Sequence, residues 1–129
     1  NCRSVRLSAM ISEIAAVEAP ASLPWTANYR VWKWEEKGRT VYFSACRQGD
    51  GMPIHLAAVS RKDKRALRRA LNAFCEHLFD TFGWCQMVMG VIGPRSVVNL
   101  ATKCGFIVMQ ELDSDAGPIT LVARPRSIS

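Results

Sequence analysis

The hydrophobic pattern of this chain has a period of two in one region and a period near four in the next. Apolar and polar positions alternate in three short runs, at residues 28–35, 39–47 and 53–59. The turn sequences Glu36-Lys37-Gly38 and Gln48-Gly49-Asp50-Gly51 separate these runs. Because alternating runs joined by short Gly-containing turns are typical of hairpins, the sequence predicts a three-stranded antiparallel meander.

A helical pattern follows the meander. Ser60 is the predicted N-cap, with Asp63 three residues further on as in a capping box, and Gly83 is the predicted end. One face of this helix carries apolar residues at steps of four and three: Leu67, Leu71, Phe74, Leu78 and Phe82. This spacing predicts an amphipathic helix that packs one face on a sheet.

The remaining pattern predicts three more strands and a second helix. A nearly continuous apolar run at 84–92 predicts a buried central strand. Pro94 suits the first turn of a helix at 95–104, which Gly105 ends. Strands are predicted at 106–112 and 119–124, on either side of a turn at 113–117.

The first 27 residues are predicted to hold a short strand at 5–7, a helix at 8–17 and a connector. Helical spacing of Met10, Ile11, Ile14 and Val17 is the basis for the helix. The core, residues 28–124, then has the order β-β-β-α-β-α-β-β. The sequence therefore predicts one domain, 1–129, of the α/β (α+β) class, with a mixed, mainly antiparallel sheet and helices on its faces.

Composition limits the function classes. The chain has 129 residues, 49% of them hydrophobic and 22% charged, which is ordinary globular composition. No apolar run is long enough to span a membrane, and we expect a cytoplasmic protein. Five widely spaced cysteines without a Cys-x-x-Cys pair predict reduced thiols. Only two histidines are present, and neither lies at ligand spacing from a cysteine, so no metal is expected.

The net charge of +6 favours acidic partners: a phosphate-bearing ligand, nucleic acid or an acidic protein surface. Because a helix N-terminus carries a partial positive charge, cations there are unfavourable unless an anion is bound. Phosphate is the obvious anion for such a position. The predicted start of the long helix nevertheless carries six cations, Arg61, Lys62, Lys64, Arg65, Arg68 and Arg69.

The element order, together with Lys103-Cys104-Gly105-Phe106 at the end of the second helix, resembles the GCN5-related N-acetyltransferase (GNAT) fold. In that fold a meander leads through a phosphate-binding turn into a long helix, then a central strand, a short helix and a closing hairpin. The resemblance covers residues 28–124 and implies acetyl-CoA as cofactor. It implies cofactor-binding roles for Leu56, Ala58, Val59, Arg61, Lys64, Arg65, Ala66 and Arg68.

The chain departs from the family pattern at two places. The family's pyrophosphate turn reads Gln/Arg-x-x-Gly-x-Gly/Ala, and here Asp63, Ala66 and Arg68 occupy its signature positions. Without glycines, the backbone cannot approach a pyrophosphate in the same way. Ala101 stands where the family often has a Tyr that protonates the departing thiolate, so that role is vacant. His55 is a candidate base if it points into a cleft, and no catalytic residue is assigned.

These departures are similar to a narrower group, the GNAT-like internal virion proteins of short-tailed bacteriophages. The favoured interpretation is a GNAT-fold protein with a degenerate cofactor site that acts as a virion or interaction protein, in the host cytoplasm or the phage particle. The alternatives are an active acetyl-CoA-dependent N-acetyltransferase and a basic nucleic-acid-binding module. For the last, bases would stack on Trp25, Trp32, Trp34 and Trp84, for which core packing is the preferred interpretation.

Overall fold

The computed structural model describes residues 9–23, 29–58 and 63–127. Within these ranges the chain forms a seven-stranded sheet, two α-helices and one turn of 3-10 helix at Ala16–Glu18. The helices are α1 (Lys64–Thr81) and α2 (Arg95–Lys103). The strands are β1 (Ala9–Ile14), β2 (Arg30–Glu36), β3 (Arg39–Ala45), β4 (Gly51–Ala58), β5 (Met87–Ile92), β6 (Ile107–Ser114) and β7 (Gly117–Pro125).

The strands lie in the order β1-β2-β3-β4-β5-β7-β6. All neighbours are antiparallel except β4 and β5, which run parallel. The mixed, mainly antiparallel sheet and the order β-β-β-α-β-α-β-β of the core are therefore confirmed, with β1 added at one edge. Both predicted hairpin turns form, and Gly38 in the first has φ 81°, a conformation that favours glycine.

The predicted helix at 8–17 is wrong, because Ala9–Ile14 is a strand that pairs antiparallel with β2. Side chains three residues apart on a strand point to opposite faces. Ile11 packs on the core beneath the helices, and Ile14 packs on a smaller cluster on the other face, so both are covered. Met10 and Val17 are 62% and 87% exposed, which removes the basis for a helical stripe. The strand predicted at 5–7 lies outside the described residues.

Both helices pack on one face of the sheet over a single core. Phe74 of α1 stacks on Phe43 of β3 with ring centroids 4.2 Å apart, and it meets the ring of Trp32 edge-on at 5.3 Å. Trp32 and Trp34 are 2% and 1% exposed, so their predicted packing role is confirmed and their rings cannot stack nucleic-acid bases. Trp25 lies outside the described residues.

The opposite face of the sheet is covered differently. The segment 16–23 lies over the β1–β4 half, where Leu23 packs with Val31 and Ala57. On the β5–β7–β6 half, large apolar side chains such as Val91 are exposed. Strand β5 therefore lies inside the sheet, as predicted. Its side chains are buried mainly on the face that carries the helices. Among the described residues, no helix is long and apolar enough to cross a membrane.

Candidate functional site

A cleft opens in the sheet where β4 and β5 separate. The two strands pair only at Gly51 with Met87, Met52 with Val88 and Pro53 with Met89. β4 and β5 approach each other closely at Gly51, where an added Cβ would lie only 2.7 Å from Met89 Cε. Beyond these pairs β4 continues to Ala58 and β5 continues to Ile92 without pairing to each other.

The main chain of β4 presents hydrogen-bonding groups to this gap. Pro53 C=O accepts from Cys46 N–H at 3.4 Å, so the main-chain groups of Pro53 point toward β3. Main-chain groups of successive residues in a strand point to opposite sides. The N–H and C=O groups of Leu56 and Ala58 therefore face the gap, where β5 no longer pairs with them. An extended ligand could bind here as an added strand would.

The gap forms an apolar cavity of about 370 Å³ between β4, β5 and the two helices. This volume is within the usual range for small-molecule sites, about 300–1,000 Å³. Three side chains bring polar chemistry to its walls: His55, Lys64 and Ser96. The apolar lining includes Leu56, Ala58, Leu67, Leu71, Leu100 and Ala101.

His55 lies at the cleft on the sheet face opposite the helices. Its neighbour Leu56 packs on the core beneath the helices, and adjacent side chains of a strand alternate between faces. The His55 ring lies 5.4 Å from the ring of Tyr29. Burial lowers the pKa of His55, because a low-polarity environment disfavours the charged imidazolium. A neutral imidazole at this position can accept a proton.

The N-terminus of α1 is capped by the chain's own carboxylate. Asp63 is the N-cap, and its Oδ1 accepts a hydrogen bond from Ala66 N–H at 3.0 Å. Asp63 also forms an ion pair with Arg39. The Ala66 hydrogen bond, with Arg39 as a further cause, lowers the pKa of Asp63. The helix thus begins at Lys64 and already has an anion at its start. The prediction of Ser60 as N-cap is wrong, because Asp63 is the N-cap of this helix. Ser60 itself lies outside the described residues.

The structure divides the predicted cofactor-binding residues into separate places. Leu56, Ala58 and Lys64 line the cleft. Ala66 is buried in the core, with its N–H bonded to Asp63. Arg65 and Arg68 line a second cavity. Val59 and Arg61 lie outside the described residues.

Ala101 bears on the vacant acid role, and four cysteines bear on possible thiol chemistry. Ala101 lines the cleft and is 1% exposed, so the position that the resemblance gives to a proton donor has no proton to give. Cys46, Cys75, Cys85 and Cys104 are free thiols. Burial raises the pKa of Cys75 to about 12 and also raises the pKa of Cys104, so neither suits a nucleophilic thiolate. No metal-binding cluster occurs among residues 9–23, 29–58 and 63–127.

The sequence interpretation missed the β5 and α2 walls of the cleft. Gly90, Ser96 and Leu100 all line it. A signal existed for Gly90, since a glycine inside an apolar strand pattern often marks a close approach of a ligand or another backbone. The side on which α2 packs depends on tertiary structure and left no comparable signal.

No protein-family model matches this chain, and no curated protein matches it in sequence. Several solved structures that match it in fold are acetyltransferases. A variant of spermidine N-acetyltransferase SpeG from Vibrio cholerae has a TM-score of 0.75 at 7% identity, with 92% of this chain and 94% of that chain covered. IAA acetyltransferase from Bacillus cereus has a TM-score of 0.71 at 14% identity, covering 92% of this chain and 100% of that chain.

A third structure, aminoglycoside acetyltransferase AAC(6')-Ib in complex with coenzyme A and kanamycin, has a TM-score of 0.63 at 14% identity. Here 77% of this chain and 67% of that chain are covered. At such identities the likeness concerns the fold. The resemblance to phage internal virion proteins stays a prediction, whereas the fold resemblance is confirmed. This chain has the fold of the GNAT acetyltransferases.

Proposed function

We propose that this chain binds acetyl-CoA, or a related acyl-CoA, in the cleft between β4 and β5 and transfers the acyl group to an amine. The separation of β4 from β5 carries the proposal, because it exposes the main-chain groups of Leu56 and Ala58 to an apolar cavity. The AAC(6')-Ib structure, which contains coenzyme A, supports this ligand class for the fold.

The residues of the cleft fit the chemical parts of such a ligand. The pantetheine arm carries amide groups, which can pair with the main chain of Leu56 and Ala58 as an added strand does. The apolar walls accept its methylene groups. Because Asp63 already occupies the end of α1, phosphates would be held by side chains, and Lys64 is the described cation that lines the cleft.

The thioester would supply an activated acyl group, and the chain's own residues would guide its transfer. As the amine nitrogen bonds to the carbonyl carbon, the carbon–sulfur bond breaks and the amine must lose a proton. His55 is the neutral base at the cleft that can take this proton. Main-chain N–H groups at the gap are donors for the thioester oxygen as negative charge develops. The departing thiolate would take its proton from another donor, since Ala101 has none to give.

A matched pair of glycine variants tests the cleft. A Cβ at Gly90 would meet Val122 Cγ2 at 3.7 Å, an ordinary contact, so Gly90→Val adds methyl groups at the cleft wall without a backbone clash. A Cβ at Gly83 meets nothing within 4 Å, which makes Gly83→Val the control. By calorimetric titration with acetyl-CoA, we expect Gly90→Val to weaken binding at least tenfold and Gly83→Val to match the native protein. Equal affinities for the two variants, or no binding by the native protein, would reject the cleft as the site.

A second candidate function is ligand binding without efficient transfer, as in the degenerate site inferred from sequence. Two observations favour it: Ala101 leaves the acid position vacant, and the Asp63 carboxylate already accepts a hydrogen bond from Ala66 N–H at the start of α1. A role in a phage particle would extend this candidate and rests on sequence resemblance alone. Release of free thiol from acetyl-CoA, measured with polyamine and peptide amine acceptors, separates the two candidates. Binding without thiol release favours the second candidate, and turnover that falls in His55→Gln favours the first.

A further inference from the structure

The cleft between β4 and β5 extends to the sheet face opposite the helices, where its mouth is apolar. His55 lies on that face, and both His55 and Val91 line the cleft. Ile92 packs on the core beneath the helices, so the adjacent side chain of Val91 points to the opposite face. Because Val91 is 57% exposed, this mouth is accessible from solvent.

Apolar side chains continue from Val91 across the same face of β7 and β6, which we call the open face. Strand partners share a face, and so do residues two apart on a regular strand. Pairing of the three strands therefore places six large apolar side chains there: Met89, Val91, Ile107, Leu112, Ile119 and Leu121. Ile107 and Leu112 are 54% and 40% exposed. A contiguous exposed apolar surface of this kind marks a binding site in many proteins.

The described residues of β5, β6 and β7 place no carboxylate on the open face. β5 and β7 contain no acidic residue. In β6, Glu111 pairs with Thr120, which also pairs with Ile92 and therefore lies on the helix face. Asp113, two residues after Glu111, shares the helix face. The cleft lining also has no carboxylate among the described residues, whereas Lys64 contributes a positive charge.

This distribution of charge decides which amines can bind beside His55. A polyamine carries several ammonium groups, and each one that leaves water without a carboxylate partner costs free energy. Lys64 and the net charge of +6 add repulsion. An amine with a single nitrogen and an apolar body avoids these costs. Its body leaves water against apolar side chains, which is favourable.

We propose that the acyl acceptor is a primary amine with one nitrogen and an apolar body, which lies on the open face against Val91 with its nitrogen at His55. This inference rests on the proposed function and narrows it to one class of acceptor. The amine nitrogen bonds to the acyl carbon, and the carbon–sulfur bond breaks with its electron pair leaving on sulfur. The proton lost by the amine passes to His55.

The experiment compares three amines: 2-phenylethylamine, ethanolamine and spermidine. Ethanolamine is also a primary monoamine but lacks the apolar body. Affinity for each amine is measured by calorimetry with saturating coenzyme A, which carries no acyl group and therefore permits no reaction. The kcat/KM for each amine is measured by thiol release from acetyl-CoA.

Two glutamate variants form a matched pair. Val91→Glu places a carboxylate on the open face at the mouth of the cleft. Met10→Glu is the control, because Met10 is 62% exposed and its neighbour Ile11 faces the helices. Met10 lies on β1, four strands from β5 and thus roughly 19 Å away. Thermal melts establish that each variant is folded, and Val91→Asn with Met10→Asn replaces the pair if either glutamate variant is not.

We expect the native protein to prefer 2-phenylethylamine at least tenfold over ethanolamine and over spermidine. Val91→Glu should shift the ratio of the spermidine and 2-phenylethylamine affinities at least tenfold toward spermidine, because the carboxylate pairs with a second ammonium group. Val91→Asn should lose the preference for 2-phenylethylamine without a gain for spermidine. Both Met10 variants should stay within about twofold of the native protein.

The outcomes separate this inference from the proposed function. If neither acetyl-CoA nor coenzyme A binds, the proposed function fails and the acceptor site fails with it. If coenzyme A binds but spermidine is preferred, or the Val91 and Met10 variants behave alike, the acceptor class alone is overturned. This comparison uses affinities, so it holds even where turnover is absent. A native dimer that Val91→Glu converts to a monomer, with amine preferences unchanged, would show instead that a second copy of the chain covers the open face.

Discussion

Single residues in this protein combine stability and chemistry, and His55 is the clearest case. Burial lowers its pKa below the ordinary value of 6.5, so the folded state binds a proton less readily than the unfolded chain. The stability from neutral His55 is complete above pH 6.5 and is lost as the pH falls from there through the folded pKa. Thermal melts between pH 5 and 8 should show a lower melting temperature on the acid side. The same acidification should slow any acyl transfer that uses His55 as base.

Two glutamine variants isolate this effect. His55→Gln should flatten the dependence of the melting temperature on pH, because the titrating group is gone. His77→Gln, which removes the other histidine of the chain, is the matched comparison. A native slope that persists unchanged in His55→Gln would show that the acid sensitivity has another source.

At the scale of residues, the sequence predicted that charged residues cluster at the start of the long helix, but it did not predict their ion-pair partners. The cation-rich start of the long helix was evident, and so was an acidic residue at position 63. That Asp63 pairs with Arg39, and Arg69 with Glu36, depends on the turn between β2 and β3 lying next to the start of α1. These contacts join positions 24 and 33 residues apart in the chain. The sequence therefore indicated an anion near these cations. The structure shows that carboxylates of the chain itself, Glu36 and Asp63, supply part of this negative charge.

At the scale of elements, one arginine secures the end of α1 to the last strand. Arg126 Nη2 donates to Phe79 C=O at 2.8 Å and to Phe82 C=O at 2.9 Å, and its Nε donates to Cys85 C=O at 2.7 Å. The last carbonyls of a helix lack partners within the helix. Because hydrogen bonds to charged groups contribute about 1.5–3 kcal/mol each and do not add fully, Arg126→Ala should lower the free energy of unfolding by roughly 2–3 kcal/mol.

Urea denaturation followed by tryptophan fluorescence measures this change. Arg126→Lys should recover only part of the loss, because one ammonium cannot reach three carbonyls as the planar guanidinium does. Arg95→Ala is the control, since its side chain is 68% exposed and its contact with Glu111 is 3.9 Å long. A loss of stability in Arg126→Ala no larger than in the control would contradict the proposed role.

The elements themselves were largely predictable, and the failures have physical causes. Alternation and turn residues located the meander, the 3.6-residue periodicity located α1, and Pro94 and Gly105 located α2. The helix predicted at 8–17 failed because Ile11 and Ile14 face two different clusters, which only the assembled sheet creates. No sequence pattern indicated the role of Arg126, since its carbonyl partners lie more than 40 residues away in sequence. Separation of β4 from β5 had no local signal beyond Gly90.

At the scale of the whole molecule, the sheet consists of two parts joined at a narrow contact. Strands β1–β4 form one part and β5–β7 the other, and among the described residues they pair at Gly51 to Pro53. Packing of α1 and α2 over both parts completes the connection. A ligand that fills the gap should therefore act as a bridge between the two parts.

Hydrogen exchange measures this bridging directly. The amides of Leu56 and Ala58 face the gap, and we expect them to exchange rapidly in the free protein because no strand pairs with them there. At acetyl-CoA concentrations near 100 times Kd, ligand binding stabilises the fold by about 2.7 kcal/mol, which slows exchange that requires global unfolding.

Amides of β2, paired on both sides, should respond only to that global effect. Those of Leu56 and Ala58 should instead slow through direct protection, already at one equivalent of bound ligand. Gly90→Val, which is expected to bind at least tenfold more weakly, should reduce both responses at the same ligand concentration. If calorimetry detects binding while Leu56 and Ala58 exchange at unchanged rates, the ligand lies outside the gap, and the main chain of β4 does not bind it.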